Sequence, residues 1–202
     1  MLRKYANLLS MIFFCTSAVA AADLEDVIRD CNDCHGDDGV SEWSDVPTIA
    51  GVSAFVVSDA LYFYRDEDRP CDESKYRQGD TDRPATDMCA VVADMSDDDI
   101  EAIAEHYAEL TFKSAQQEFD ASLVDEGKRI HDQACENCHA DSGRDPEEDA
   151  GILAGQWTEY LREQFEYYKA GERSQPEKME VKLADLTDQD IEALLNFYAS
   201  LQ

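Results

Sequence analysis

The sequence predicts an all-α protein made of two tandem helical domains that are related by internal duplication. The pattern Cys-x-x-Cys-His occurs at residues 31–35 and again at 135–139, a spacing of 104 residues. The segment 88–110 also resembles the segment 179–201, and both carry apolar residues at helical spacing. The chain shows no convincing alternation of apolar and polar residues, which a half-buried strand would require.

The first 22 residues have the composition of a secretory signal peptide. Arg3 and Lys4 precede an apolar stretch over residues 8–19, and small residues around Ala20 and Ala22 offer a cleavage site. The apolar stretch is shorter than the ~20 residues that span a bilayer, which disfavours a membrane anchor. We therefore expect an exported, periplasmic protein without a membrane span after cleavage.

We expect the two domains at residues 23–112 and 120–202, with a linker at 113–119. Several residues after the first motif recur at the same 104-residue shift as the motifs themselves. These matches are Ala50-Gly51 with Ala154-Gly155, Tyr64 with Tyr168, and Arg69 with Arg173. Self-similarity of this kind indicates a tandem duplication.

The first half contains an insertion that the second half lacks. The segment 88–110 matches 179–201 at a shift of 91 rather than 104 residues, so 13 additional residues lie between Arg69 and Met88. The inserted stretch is rich in turn-forming residues and contains Cys71.

Each domain is expected to have a helix before its Cys-x-x-Cys-His motif, a middle helix and a final helix. Middle helices are predicted over residues 54–65 and 158–170. The final helices begin with capping signals at Ser96 and Thr187, each followed three residues later by an aspartate. The apolar positions with helical spacing are Ile100, Ile103, Tyr107 and Leu110 in one, and Ile191, Leu194, Leu195, Tyr198 and Leu201 in the other.

The chain contains seven cysteines, of which one lies in the signal segment and four lie in the paired motifs. The two others are Cys71 and Cys89, and in an exported protein such a pair favours a disulfide. The bridge would close a loop of about 18 residues and stabilise the fold by on the order of 3 kcal/mol through its effect on the unfolded chain.

The formal net charge is −29, from 17 lysines and arginines against 46 aspartates and glutamates. Such a charge disfavours binding to nucleic acid or to anionic membranes. It is compatible with two explanations that the sequence does not separate. One is a saline habitat, and the other is an acidic surface that selects a redox partner with a basic docking face.

The Cys-x-x-Cys-His motif is typical of covalent attachment of haem c. Two thiols one helical turn apart can each form a thioether with a vinyl group, and the adjacent imidazole can bind the iron. The predicted attachment residues are Cys31, Cys34, Cys135 and Cys138, with His35 and His139 as iron ligands. A zinc site is disfavoured because each half lacks a second Cys-x-x-Cys, and a thioredoxin-like site because no βαβ pattern surrounds the motif.

The order of motifs closely resembles that of diheme class I cytochromes c of the "c-four" family. Cys-x-x-Cys-His is followed by "PTIAG" or "GILAG", by "YKAGER", by a methionine and by "LTDQDIEALLNFYASL". The chain is also similar to the diheme cytochrome subunit of flavocytochrome c sulfide dehydrogenase. The resemblance covers nearly the whole mature chain and implies two cytochrome c-like helical domains about a pseudo-twofold axis, each with one His/Met-ligated haem.

The resemblance implies a methionine as the second iron ligand in each domain. Met179 is the sole methionine after the second motif, whereas Met88 and Met95 compete in the first domain. The internal register favours Met88, which aligns with Met179, while Met95 aligns with Leu186 and can pack as a hydrophobic staple. A core methionine without a ligand role is the alternative for Met88.

The sequence also predicts the surroundings of Gly151, His106 and His131. Gly151 stands where the first half has Pro47, whose carbonyl in the family accepts a hydrogen bond from the proximal histidine, so the orientation of His139 is less defined. His106 aligns with Phe197 and is expected to be partly buried. We expect a surface position for His131, which has no equivalent histidine in the first half.

A haem iron with both axial positions filled has no vacancy for a substrate, so we expect an electron carrier without catalytic residues. Two haems c would carry electrons from a dehydrogenase or a quinol-oxidising complex to a terminal acceptor. The alternatives are a cytochrome subunit of a sulfur-compound dehydrogenase, and a haem enzyme or sensor with one open axial site.

Overall fold

The structure, a computed structural model, describes residues 24–146 and 150–202. The predicted signal peptide lies outside the described residues. The first half contains α1 (Leu24–His35), α2 (Ala54–Arg65), α3 (Met88–Val92) and α4 (Asp97–Ala108). The second half contains α5 (Ala121–Ala134), the short α6 (Ala140–Gly143), α7 (Thr158–Ala170), α8 (Glu177–Ala184) and α9 (Asp188–Ser200).

The predicted all-α class is confirmed. The described residues contain no strand, and their one β-type contact is an isolated bridge between Ser74 and Thr86. The predicted middle helices coincide with α2 and α7. Within the described residues, none of the helices is long and apolar enough to cross a bilayer.

The final helices begin where the capping signals predicted. Ser96 accepts a hydrogen bond from the backbone N–H of Asp99, whose carboxylate accepts one from the N–H of Ser96 in return. Thr187 and Asp190 form the same reciprocal pair at the start of α9. Each pair satisfies two backbone donors that the first helical turn leaves free.

Each half has its own hydrophobic core, in which the final helix supplies the most buried side chains. In the first half, α4 packs on α2 and α1; in the second, α9 packs on α5 and α7. The predicted apolar positions of α4 and α9 form the centres of the cores. Buried members are Ile28, Val57, Leu61, Val92, Ile100, Ile103 and Tyr107 in one, and Ile130, Leu161, Ile191, Leu194, Leu195, Phe197 and Tyr198 in the other.

The duplication is visible in the backbone as well as in the sequence. The N–H of Gly51 donates to the carbonyl of Tyr107 at 2.8 Å, and the N–H of Gly155 donates to that of Tyr198 at 2.9 Å. Both glycines have a positive φ, 72° and 71° respectively, a conformation that favours glycine. In both halves this contact fixes the loop after the motif against the final helix.

The two halves share an interface with both polar and apolar contacts. The side-chain amide of Gln156 accepts from the N–H of Thr48 at 3.0 Å and donates to the carbonyl of the same residue at 2.9 Å. The indole N–H of Trp157 donates to the carbonyl of Ser41 at 3.0 Å. Ile152 of the second half packs into the core of the first, so apolar burial accompanies these hydrogen bonds.

The predicted linker, residues 113–119, runs along the second half without forming a helix. The N–H of Ala115 donates to the carbonyl of Gly155 at 2.7 Å. The side chain of Gln117 donates to the carbonyl of Gln156 at 2.8 Å and accepts from the N–H of Thr158 at 3.0 Å. These contacts hold the linker beside the interface between the halves.

The insertion forms a closed loop, residues 70–87, which we call the insertion loop. Cys71 and Cys89 are joined by a disulfide, with their Cα atoms 5.7 Å apart. Inside this bridge, the N–H of Ser74 donates to the carbonyl of Thr86 at 2.7 Å, and the N–H of Thr86 donates back at 2.9 Å. The loop is therefore closed at its base by one covalent bridge and two backbone hydrogen bonds.

Candidate functional site

The first motif lies at the end of α1. The last turn of this helix contains Cys31, Cys34 and His35, so the two thiols are separated by one turn. Both cysteines are partly buried and neither is part of a disulfide. The ring of His35 is held by the next loop, because its Nδ1 lies 3.0 Å from the carbonyl oxygen of Pro47.

The second motif follows the end of α5 as a turn. The N–H groups of Cys138 and His139 both donate to the carbonyl of Cys135, at 3.0 and 2.9 Å. His139 Nδ1 lies 3.1 Å from the carbonyl oxygen of Gly151. Glycine therefore provides the same acceptor as Pro47 in the first half, and the imidazole is held in a corresponding way.

The two imidazoles are oriented for the same chemistry. When Nδ1 carries the proton and donates it to a carbonyl, Nε2 keeps its lone pair and can bind a metal ion. Burial lowers the pKa of His35 and also that of His139, which favours the neutral ring that a ligand requires. Each half thus presents one neutral, oriented imidazole beside two thiols.

The thiols have pKa values unlike those of a reactive redox pair. Burial raises the pKa of Cys31 to about 11 and also raises the pKa values of Cys34 and Cys135. Catalytic Cys-x-x-Cys pairs instead have at least one thiol with a lowered pKa. The arrangement therefore disfavours thiol–disulfide exchange as the function of these motifs.

The methionines of the predicted ligand set occupy corresponding places in the two halves. Met88 begins α3 and Met179 lies in α8, in each case in the short helix that precedes the final helix. Both side chains are partly buried. Met95 lies in the turn between α3 and α4 and packs against the first core, as its predicted packing role requires. The ligand roles of Met88 and Met179 stay predictions.

Two arginines that the repeat aligns come together between the halves. Arg69 and Arg173 donate to the same side-chain oxygen of Gln164, at 3.1 and 2.6 Å. The guanidinium carbon of Arg69 lies 4.3 Å from the ring centre of Tyr64, and that of Arg173 lies 4.6 Å from the ring centre of Tyr168. Arg69 is only 6% exposed, yet within residues 24–146 and 150–202 neither arginine forms an ion pair with a carboxylate.

The sequence motifs do not identify Arg69 and Arg173 as functional residues. The repeat does relate the two arginines, since Arg69 and Arg173 are separated by the same 104 residues as the two Cys-x-x-Cys-His motifs. Exposed arginines are common, however, and the repeat alone does not distinguish a surface guanidinium from a buried one. Their convergence on Gln164 depends on how the two halves pack.

The expected surface position of His131 is wrong. This side chain is fully buried, with Nδ1 2.9 Å from the hydroxyl oxygen of Tyr198 and Nε2 2.7 Å from a carboxylate oxygen of Glu136. Glu136, inside the second motif, also accepts from the N–H of Ser142 at 3.1 Å. Because both ring nitrogens find partners, the imidazole can be buried without leaving a polar atom unsatisfied. His106 is partly buried, as expected.

Comparisons with known proteins agree with this architecture. Residues 124–202 match the family model of cytochrome c. The structure is similar to the reduced recombinant cytochrome c4 from Pseudomonas stutzeri, with a TM-score of 0.70 and 24% identity, covering 90% of this chain and 100% of that chain. No curated protein sequence matches the chain significantly.

Two further solved structures have the same fold. Cytochrome c4 from Acidithiobacillus ferrooxidans matches with a TM-score of 0.68 and 23% identity, over 86% of this chain and 99% of that chain. Thiosulfate dehydrogenase (TsdBA) from Marichromatium purpuratum matches with a TM-score of 0.63 and 20% identity, over 84% of this chain and 36% of that chain. The predicted resemblance to two-domain cytochromes of the "c-four" type is therefore confirmed for the fold.

Proposed function

We propose that the chain is a diheme c-type cytochrome that carries electrons between proteins and catalyses no reaction of its own. The observation that carries this proposal is the repetition of one site. Each half places two cysteines that form no disulfide beside a partly buried imidazole whose Nδ1 is held by a backbone carbonyl. The match of residues 124–202 to the cytochrome c family supports the same assignment for the second half.

The residues of each site fit a covalently bound haem. Cys31 and Cys34 would hold one group through thioethers and Cys135 and Cys138 the other, while His35 and His139 would bind the irons through Nε2. Met88 and Met179 would each supply a further ligand to the iron of their half, an assignment that rests on the register of the repeat. When bound, haem supplies an iron that alternates between the ferrous and ferric states without a change of ligands.

The interface between the halves fits the acidic groups of the same cofactor. A buried guanidinium is costly unless a negative charge or several hydrogen bonds compensate it. Arg69 and Arg173 share one amide oxygen and the hydroxyl of Tyr160 as hydrogen-bond partners and have tyrosine rings as neighbours, but none of the described carboxylates forms an ion pair with either. We assign both arginines to the propionate groups of the haems, because guanidinium binds carboxylates with strong, charge-assisted hydrogen bonds.

The proposal includes a location and a class of partner. The signal-like segment 1–22 would direct export, and the mature protein would act in the periplasm. A net charge of −29 favours a redox partner with a basic docking face, because complementary charge accelerates protein encounter. Under this proposal the rate of electron transfer falls as the salt concentration rises.

A second candidate is an electron-accepting subunit of a sulfur-compound dehydrogenase. The structural match to thiosulfate dehydrogenase from Marichromatium purpuratum, which spans 84% of this chain, favours it over other enzyme associations. In that case the chain would accept electrons from a separate catalytic domain rather than from a freely diffusing donor.

The proposal is tested on the purified mature protein in two measurements. The haem content per chain is determined from the alkaline pyridine spectrum, and a carbon monoxide difference spectrum is then recorded on the reduced protein. Two covalent haems and no spectral change with carbon monoxide are expected of a carrier. Fewer than two haems would contradict the proposal, and carbon monoxide binding would favour an enzyme or sensor with an open axial site.

A further inference from the structure

The insertion loop folds over the last turn of α1, where the first motif lies. The N–H groups of Arg77 and Gln78 donate to the carbonyl of Asp33 at 2.8 and 3.1 Å. The guanidinium of Arg83 forms ion pairs with the carboxylates of Asp33 and, at 3.3 Å, of Asp30. Asp33 stands between the two cysteines of the motif, so the loop binds directly to the motif itself.

Additional contacts link the insertion loop to residues near Asp33. Arg77 pairs with Asp45, and the side-chain amide of Gln78 donates to the carboxylate of Asp37 at 2.8 Å. Cys34 Sγ lies 3.9 Å from the carbonyl oxygen of Lys75, so the loop borders the second thiol of the motif. Backbone and side-chain contacts therefore hold the insertion loop against the residues around Cys34.

The second half provides a direct comparison, because it has the same motif and no insertion. Asp33 is only 8% exposed although it carries a carboxylate, whereas Asn137, its counterpart, is exposed. Cys34 is partly buried, whereas its counterpart Cys138 is exposed. The difference between the two motifs therefore coincides with the presence of the loop.

We propose that the insertion loop covers the thioether edge of the first haem site, so that electrons are exchanged with partner proteins at the corresponding edge of the second site. This inference rests on the proposed function. The cysteines mark the edge of the cofactor that is bonded to the chain, and the loop lies over that edge in the first half alone. Because electron transfer slows steeply with distance, an added layer of protein directs partners to the open edge.

The test measures how closely a dissolved probe can approach each haem. On the reduced protein with both haems bound, the NMR signals of the thioether protons of each haem are assigned. Their relaxation is then measured with increasing amounts of a neutral gadolinium chelate. We expect the relaxation enhancement at the second haem to exceed that at the first several-fold, and equal enhancement at both would overturn the inference.

A double variant, Arg77→Ala with Arg83→Ala, removes the ion pairs of the loop but leaves the motif intact. We expect the enhancement at the first haem to rise several-fold toward that at the second. The matched control is Arg129→Ala, which removes an exposed ion pair to Glu126 on α5. An equal rise in the control, or no rise in the double variant, would overturn the inference. If the double variant does not fold, the relaxation enhancements at the two haems of the unaltered protein still test the inference.

The haem count separates this inference from the function on which it rests. A chain with fewer than two covalent haems contradicts the proposed function before any probe is added. A chain with two haems that the chelate approaches equally leaves the proposed function in place and removes only the role of the insertion loop.

Discussion

Nδ1 of His131 lies 2.9 Å from the hydroxyl oxygen of Tyr198, in a contact fully enclosed by the second half of the protein. In the first half, Tyr107 occupies the place of Tyr198 and hydrogen-bonds instead to the side chain of Asn32 at 2.9 Å. Both tyrosines therefore connect the final helix to the helix that carries or precedes the motif. The partner on that helix is an asparagine in the first half and a histidine in the second.

Replacing His131 by valine, the residue at the corresponding position 27, should destabilise the second half. The change removes the imidazole nitrogen that hydrogen-bonds to the buried hydroxyl of Tyr198, at a cost of about 1–3 kcal/mol. Urea unfolding of the variant and the unaltered protein measures this cost. The control is His106→Gln on α4, at a partly buried position, for which we expect a smaller change; an equal effect of both variants would contradict a specific role for His131.

Gly151 should tolerate a side chain, whereas Gly155 should not. A Cβ atom at Gly151 would lie 3.8 Å from Val56 Cγ1, an ordinary contact, and Gly151→Ala should stabilise the fold by about 0.4–1 kcal/mol by restricting the unfolded chain. Gly155 has a φ of 71°, and a Cβ atom there would collide with Ser114. Gly155→Ala should therefore destabilise the fold by at least about 1–2 kcal/mol. Thermal unfolding of the two variants should show a higher melting temperature for Gly151→Ala and a lower one for Gly155→Ala.

Replacing Arg69 by methionine should lower the reduction potential of at least one haem. Under the proposed assignment to the propionates, the buried positive charge of Arg69 would favour the ferrous state, since ferrous haem carries one positive charge fewer than ferric haem. A spectroelectrochemical titration of the unaltered protein and the variant measures the shift. The control is Arg65→Met, because Arg65 is paired with Asp97 at 2.8 Å and its charge is already compensated. Unchanged potentials in the Arg69 variant would contradict its assignment to the propionates.

Removing the bridge between Cys71 and Cys89 should lower the free energy of unfolding by about 3 kcal/mol, as estimated for a closed loop of this length. Because Cys89 follows Met88 directly, the change should also loosen this proposed ligand. The double variant Cys71→Ser with Cys89→Ser is compared with the unaltered protein by urea unfolding. The charge-transfer band of methionine-ligated ferric haem is recorded in parallel. If the variant loses stability but the charge-transfer band of both haems is unchanged, the disulfide stabilises the fold without affecting the binding of Met88.

Replacing Ser96 or Thr187 by alanine should weaken the start of the final helix in the corresponding half. Each substitution removes an oxygen that accepts a hydrogen bond from the third residue of the helix, at a cost of about 0.5–2 kcal/mol. Chemical unfolding of both single variants measures the loss. Because the two caps have the same geometry, similar losses are expected, and no change in either variant would contradict a stabilising role for the capping boxes.

Local patterns in the sequence were sufficient to predict the middle and final helices, the repeat and the composition of the sites. The bounds of α2 and α7 and the caps at Ser96 and Thr187 follow from local periodicity and from hydrogen bonds between residues three positions apart, which the chain specifies over short distances. The paired motifs indicated covalent haem, because their spacing is set by one turn of helix.

Packing between elements that are distant in the sequence determines which of the remaining residues are buried and what they contact. His131 is buried because Tyr198 and Glu136 satisfy both ring nitrogens, and Tyr198 is 67 positions away along the chain. Arg69 meets Gln164 across the interface between the halves, and the insertion loop closes over Asp33 rather than extending into solvent. These contacts depend on how separate elements pack, and no local pattern of residues specifies them.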